Sequence, residues 1–274
     1  MIKVTAIFVL ALLVPLNNGF GGELKIPSDL QQGDLVPGNV TPGARVIVDG
    51  QNILVDKDGF FVFGLGRDYS QKLLVEARFT DGTSLLQTYN VRKRKYGEQH
   101  IEGIPKEMVT PDIGIAERIS MESDLVRLAR RNTSYKMFFR SGFIIPTVGT
   151  ITGVFGTRRF LNGEPRSPHY GIDIAAQEGT TVVAAADGII RLSAKLYLSG
   201  NTTIVDHGYG VSSTYLHMEK IIVGKNDFVR QGQVIGYVGT TGRSTGPHLD
   251  WRMNWFDVRV DPERAMIFLP PNSH

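Results

Sequence analysis

The chain has 274 residues, 42% of them hydrophobic, with a formal net charge of +3 and no cysteine. That length holds one large domain or two ordinary ones, and the apolar content supplies real cores, which excludes a disordered or low-complexity filament. Without cysteine there are no disulfides, thiolate metal sites, cysteine nucleophile or lipoprotein anchor, and so small a net charge leaves no strong field for nucleic acid.

Residues 1–21 read as an export signal. Lys3 gives a positive start, and Val4 to Val14 is an almost unbroken apolar run. About a dozen residues is too short for a stable membrane span, and the small residues Gly19 and Gly21 suit cleavage after Gly21. The expected setting is therefore outside the cytoplasm, in the periplasm or cell envelope of a bacterium. From 22 to 98 the pattern is β throughout. Arg45 to Val48, then Asp49-Gly50, then Gln51 to Val55 is a hairpin with a type I′ turn signal, and Asp58-Gly59 and Asp81-Gly82 repeat the device. Leu73, Val75, Ala77 and Phe79 alternate with polar residues as a half-buried strand does. The segment reads as a small immunoglobulin-like β-sandwich, a spacer or docking module for an envelope partner. The run Arg92-Lys93-Arg94-Lys95 reads as a solvated strand end.

A connector, 99–140, follows. Thr110-Pro111 suits a helix start with proline at the first position, and Met121, Leu125 and Leu128 fall on one helical stripe expected to pack on a neighbouring domain. From 141 to 266 short strands and glycine turns return, predicting a compact, mostly antiparallel β domain, with 267–274 as a tail. The fold class is thus mainly β, with a helical connector between two β units.

The chemistry concentrates in the second unit. His169 and Asp173 stand four apart in Ser167-Pro-His-Tyr-Gly-Ile-Asp-Ile-Ala175, and His248 and Asp250 stand two apart in Gly246-Pro-His-Leu-Asp-Trp251, one face of a strand. In Thr214-Tyr-Leu-His217, Tyr215 and His217 are expected to share a face. Imidazole and carboxylate are the zinc ligands left when cysteine is absent, and a catalytic zinc keeps three protein ligands and an open position. His207 in a glycine turn reads as structural, with His100 and His274 incidental. Trp251 and Trp255 read as core or strand-face residues.

Several ordered blocks across about 147–252 resemble the M23 family of zinc metallopeptidases, the lysostaphin and LytM-like group. They include Ile151-Thr-Gly-Val-Phe-Gly156, His169-Tyr-Gly-Ile-Asp173, Ala186-Asp-Gly188, Asp206-His-Gly-Tyr-Gly210, Tyr215-Leu-His217 and Gly239-Thr-Thr-Gly-Arg-Ser-Thr-Gly-Pro-His248. The resemblance implies an M23-type antiparallel β domain holding one Zn2+, with another divalent metal possible. It also implies His169 and Asp173 as ligands, His217 and His248 as catalytic residues beside the attacking water, and peptidoglycan as substrate. The family's second motif ends in a third histidine ligand, whereas Asp250 stands here. Aspartate ligates zinc, but two carboxylates cancel the ion's formal charge of +2, where the usual set leaves +1. The expectation is an exported endopeptidase that cleaves peptidoglycan stem peptides or cross-links. Its alternative is a non-catalytic LytM-like regulator that activates a cell-wall amidase by contact.

Overall fold

The computed structural model describes residues 22–271, so the candidate export signal at 1–21 lies outside the described residues. Eight strands build the first unit: β1 (Leu24–Lys25), β2 (Leu30–Gln31), β3 (Leu35–Val40), β4 (Arg45–Val48), β5 (Gln51–Ile53), β6 (Phe60–Gly64), β7 (Lys72–Arg78) and β8 (Ser84–Arg92). They form two sheets, ordered β1-β3-β6 and β2-β8-β7-β4-β5. Val36, Phe61 and Phe63 of one sheet share a core with Val46, Leu73 and Val75 of the other. β7 alternates as its sequence requires, burying Leu73, Val75 and Ala77. Its edge pair β2·β8 is parallel, a feature the immunoglobulin-like reading does not specify.

The hairpin turns differ in kind. Asp49 and Gly50 both have positive φ, 47° and 82°, the signature of a type I′ turn between β4 and β5. At Asp58-Gly59 and Asp81-Gly82 only the glycines are left-handed. There a side chain fixes the turn instead: Asp56 Oδ1 accepts from the backbone N–H of Asp58 and Phe60.

The connector holds β9 (Glu98–Ile101), α1 (Lys106–Val109) and α2 (Ile113–Arg131). Asp112 caps α2, its Oδ1 accepting from Ile115 N–H at 2.9 Å, so Pro111 lies before the cap rather than at the first helical position. The apolar stripe read from the sequence does not pack: Met121, Leu125 and Leu128 are 64%, 52% and 62% exposed. Ile115, Ile119, Glu122 and Val126 turn inward instead, and Glu122 accepts from Tyr197 N–H at 2.7 Å. Both stripes satisfy a helical period, and only the tertiary contact chooses between them.

The second unit contains β10 (Thr150–Gly153), β11 (Arg158–Leu161), β12 (Glu164–Arg166), β13 (Ile172–Ala175), β14 (Thr181–Val183), β15 (Gly188–Leu196), β16 (Gly200–Gly208), β17 (Val211–Met218), β18 (Lys220–Ile221), β19 (Phe228–Val229), β20 (Val234–Tyr237), β21 (His248–Trp255) and β22 (Val258–Val260), then α3 (Pro262–Phe268). Its main sheet runs β10-β13-β21-β17-β16-β15-β19 with β22 beside β21, every pairing antiparallel. Two small sheets flank it, β14-β20-β18 and β12-β11-β9. α3 crosses the expected boundary between the β domain and its tail. No helix among the described residues is long and apolar enough to cross a membrane.

One hydrophobic core runs through both units, from Val36 and Phe63 to Trp255 and Val260. Two ion pairs cross the same seam, Arg264–Asp34 at 2.7 Å and Arg94–Asp261 at 2.6 Å. Arg94 therefore leaves the solvated run of basic residues and ties the first unit to the α3 cap. A fragment 141–274 would expose this seam, so we expect it to melt well below the whole chain in a thermal scan. Equal melting temperatures would show the seam to be energetically idle.

Candidate active site

Register decides which side chains meet. In antiparallel sheets directly opposed residues project to one face. Asp173 lies opposite Asp250, and Ala175 opposite His248, so both carboxylates and His248 share a face. The other face carries Ile172, Ile174, Leu249 and Trp251, all fully buried in the core. Trp251 and Trp255 are thus core residues.

His169 reaches the same place from the loop before β13. Its backbone makes two bonds to the Phe-Gly-Thr turn, Gly156 N–H to His169 O at 2.7 Å and His169 N–H to Thr157 O at 2.8 Å. The block Ile151 to Gly156 is therefore the clamp that sets the His169 loop. Two motif glycines have an equally direct reason. A Cβ on Gly153 would lie 2.3 Å from Asp173 Oδ2, and one on Gly171 would lie 2.9 Å from Asp250 Oδ1 and 2.6 Å from Arg252 Cγ.

His217 corrects the expectation of alternation. Tyr215 lies opposite Trp251 and faces the core, where its hydroxyl accepts from Ala185 N–H at 2.8 Å and from the Ser213 hydroxyl at 2.9 Å. Strict alternation would bury His217 beside it. Instead β17 carries an extra residue against β16 between Tyr215 and Met218, and His217 has φ +62°. This bulge turns the ring to the opposite face, where its centroid lies 4.9 Å from that of His248. A left-handed non-glycine backbone held at such a point is strain spent on aiming a side chain.

The five candidate residues converge. Ligand atoms of His169, Asp173 and Asp250 lie within 4.8 Å of one another, and all three residues are buried. His169 Nε2 is 3.2 Å from Asp173 Oδ1, and His248 Nε2 is 3.9 Å from that same oxygen. Both ring nitrogens of His169 and Asp173 Oδ1 are buried without a hydrogen-bond partner. Such atoms are costly unless a further group satisfies them, and a nitrogen and carboxylate oxygens aimed at one point suit a divalent cation. The residues present therefore fit a metal ion.

His217 and His248 are oriented alike. Nδ1 of His217 bonds Thr241 O at 2.8 Å, and Nδ1 of His248 bonds Gly246 O at 2.8 Å. A carbonyl can only accept, so Nδ1 carries a proton in each ring and Nε2 is the nitrogen turned toward the cluster side. Burial pushes the His217 pKa down to about 4, keeping that ring neutral. His207, by contrast, is structural: it lies in β16, fully buried, between Asp187 O and the Ser213 hydroxyl. His100 stacks on Phe160 with centroids 4.6 Å apart.

Sequence reasoning missed two arginines. Arg252 forks onto Asp250, with Nε 2.9 Å from Oδ1 and Nη2 2.5 Å from Oδ2, and Arg159 donates to Asp173 Oδ2. Burial alone would raise the Asp250 pKa, but Arg252, and after it His169, hold the carboxyl well below the usual range. The signal for Arg252 was present, because residues 250 and 252 share a strand face. Nothing local announces Arg159.

A buried histidine–dicarboxylate cluster with two further histidines beside it is an arrangement that suits a divalent ion and a water molecule. Residues 167–262, all within the second unit, match the profile of peptidase family M23. The chain is 42% identical over 133 residues to the DD-carboxypeptidase/endopeptidase Mpg of Neisseria meningitidis, covering 48% of this chain and 31% of that protein. It is 40% identical over 100 residues to the peptidoglycan DD-endopeptidase ShyA of Vibrio cholerae, covering 36% and 23%. The chain thus spans about a third or less of the length of these relatives. A solved structure of a candidate M23 peptidase from Pseudomonas aeruginosa aligns with 91% of this chain and 93% of its own, at 26% identity and a TM-score of 0.65. That likeness extends the shared fold to the first unit.

Proposed function

We propose that the chain is an exported, metal-dependent endopeptidase hydrolysing peptide bonds in peptidoglycan stem peptides or cross-links. The observation that carries this reading is the buried convergence of His169, Asp173 and Asp250, with both ring nitrogens of His169 and Asp173 Oδ1 left without partners. The activities for which the Neisseria and Vibrio relatives are named support the substrate class. Zn2+ is the ion that the donor set and the family favour, and when bound it would supply Lewis acidity toward a peptide carbonyl and a water molecule. His169, Asp173 and Asp250 would hold it. His217 and His248, through their free Nε2 atoms, accept and return the proton and donate to the developing oxyanion. The first unit serves as a spacer or docking module toward the envelope, and the apolar run at 4–14 directs export.

Purified sacculi incubated with the full chain should yield cleaved peptide bonds, read by mass analysis of the products. A strong chelator should stop the digestion, and added Zn2+ should restore it. If protein containing stoichiometric metal leaves the sacculi intact, the endopeptidase reading fails. If wild type holds no metal yet stimulates an amidase, the regulator takes its place.

A further inference from the structure

Two carboxylates and a neutral imidazole around a divalent ion sum to a formal charge of about zero, where the family's usual two histidines and one aspartate leave +1. This chain surrounds that cluster with positive charge. Arg252 engages both oxygens of Asp250, at 2.9 Å and 3.1 Å from Nε and 2.5 Å from Nη2. Arg159 engages Oδ2 of Asp173 and leaves Oδ1, partnerless and buried, facing His169. Each carboxylate oxygen has two lone pairs, so a guanidinium on one side does not prevent ligation on the other. The glycines leave room for both pairs: a Cβ on Gly153 would collide with Asp173, and one on Gly171 with both Asp250 and Arg252. Counting the two guanidinium groups, the loaded site would carry about +2.

We propose that Arg159 and Arg252 are positioning residues that replace the positive charge removed when aspartate stands in the third ligand position, keeping the centre electrophilic at the expense of metal affinity. The inference rests on the metallopeptidase reading above. Two effects oppose each other when Arg252 is removed. Loss of its hydrogen bonds loosens Asp250, which weakens metal binding by the usual factor of about 10–100 for a supporting residue. Loss of its charge leaves two buried, opposed carboxylates with one counterion fewer, which favours the cation. Charges this close and this poorly solvated are little screened, so the second effect wins where the substitution keeps a donor. Arg252→Gln meets that condition.

The test uses the full chain. Zinc affinity is measured by competition with a chromophoric chelator for wild type, Arg252→Gln, Arg252→Lys and Arg159→Gln, alongside sacculus digestion and melting with and without zinc. We expect Arg252→Gln to bind zinc at least tenfold more tightly while digesting at least tenfold more slowly. Arg159→Gln should change both in the same directions, and Arg252→Lys should stay near wild type. The zinc-free Gln variants should melt lower than wild type and gain more on adding zinc, which reports on charge even if turnover is lost. A part in mere packing or orientation would weaken affinity and activity together, and that result overturns the inference while leaving the peptidase reading intact. A wild type that neither binds zinc nor digests sacculi overturns the peptidase reading, and this inference with it.

Discussion

His169→Ala, Asp173→Ala and Asp250→Ala are each expected to lower zinc affinity by more than about 100-fold, beyond the loss typical of a residue that only supports a ligand. Metal content by mass spectrometry after dialysis checks this, and sacculus digestion should fall to background in all three. The variants should differ in stability. His169→Ala removes two ring nitrogens without hydrogen-bond partners, which offsets part of the cost of the cavity, so the metal-free protein should melt less far below wild type than the next variant. Asp250→Ala strands the guanidinium of Arg252, which has no other carboxylate partner among the described residues, and should melt lower. Asp250→Asn keeps the shape and one oxygen but loses the charge, and should fall between. Asp250→His restores the family's usual ligand set, yet it places an imidazole where Arg252 expects a carboxylate. It should bind zinc and still be less stable than wild type. Retention of stoichiometric zinc by Asp250→Ala would remove that residue from the ligand set.

The parts legible in the sequence are those written in local spacing. The type I′ turn at Asp49-Gly50 and the alternation of Leu73, Val75 and Ala77 each follow from a few neighbouring residues, and the structure has them. The five candidate residues were legible because their blocks are short and ordered, and register, the loop before β13 and the β17 bulge bring their side chains together. What was not legible depends on partners distant in the chain. The inward stripe of α2 is selected by Tyr197, about 75 positions away from Glu122. Arg94 leaves solvent because Asp261 waits for it across the seam. His217 leaves the core face because β17 gains a residue against β16, and a bulge has no signature in Thr214-Tyr-Leu-His217. Alternation is a rule for unbroken ladders, and it failed where the fold needed a side chain on the other side.

His217→Ala and His248→Ala are expected to leave zinc affinity within a few-fold of wild type while lowering turnover by about 10²–10⁴, the usual worth of a positioned acid–base group. The proposed division of the site places them beside the ligands. Their Nδ1 atoms are tied to Thr241 O and Gly246 O, and the Nε2 of His248 sits 3.9 Å from Asp173 Oδ1, beside the cluster rather than within it. His217 also needs a control for its backbone. At φ +62° histidine and alanine carry the same left-handed strain and glycine does not, so Ala removes the ring with the backbone cost unchanged, whereas Gly also relieves about 1 kcal/mol. His217→Gly removes the ring together with that strain and should match or exceed the alanine variant in melting temperature while being equally slow. If the glycine variant digests sacculi at the wild-type rate, the His217 ring has no part in the chemistry and the bulge needs another explanation. If either histidine variant loses zinc as completely as His169→Ala, that residue joins the ligand set, and the division of the site into three ligands and two proton-handling histidines is wrong.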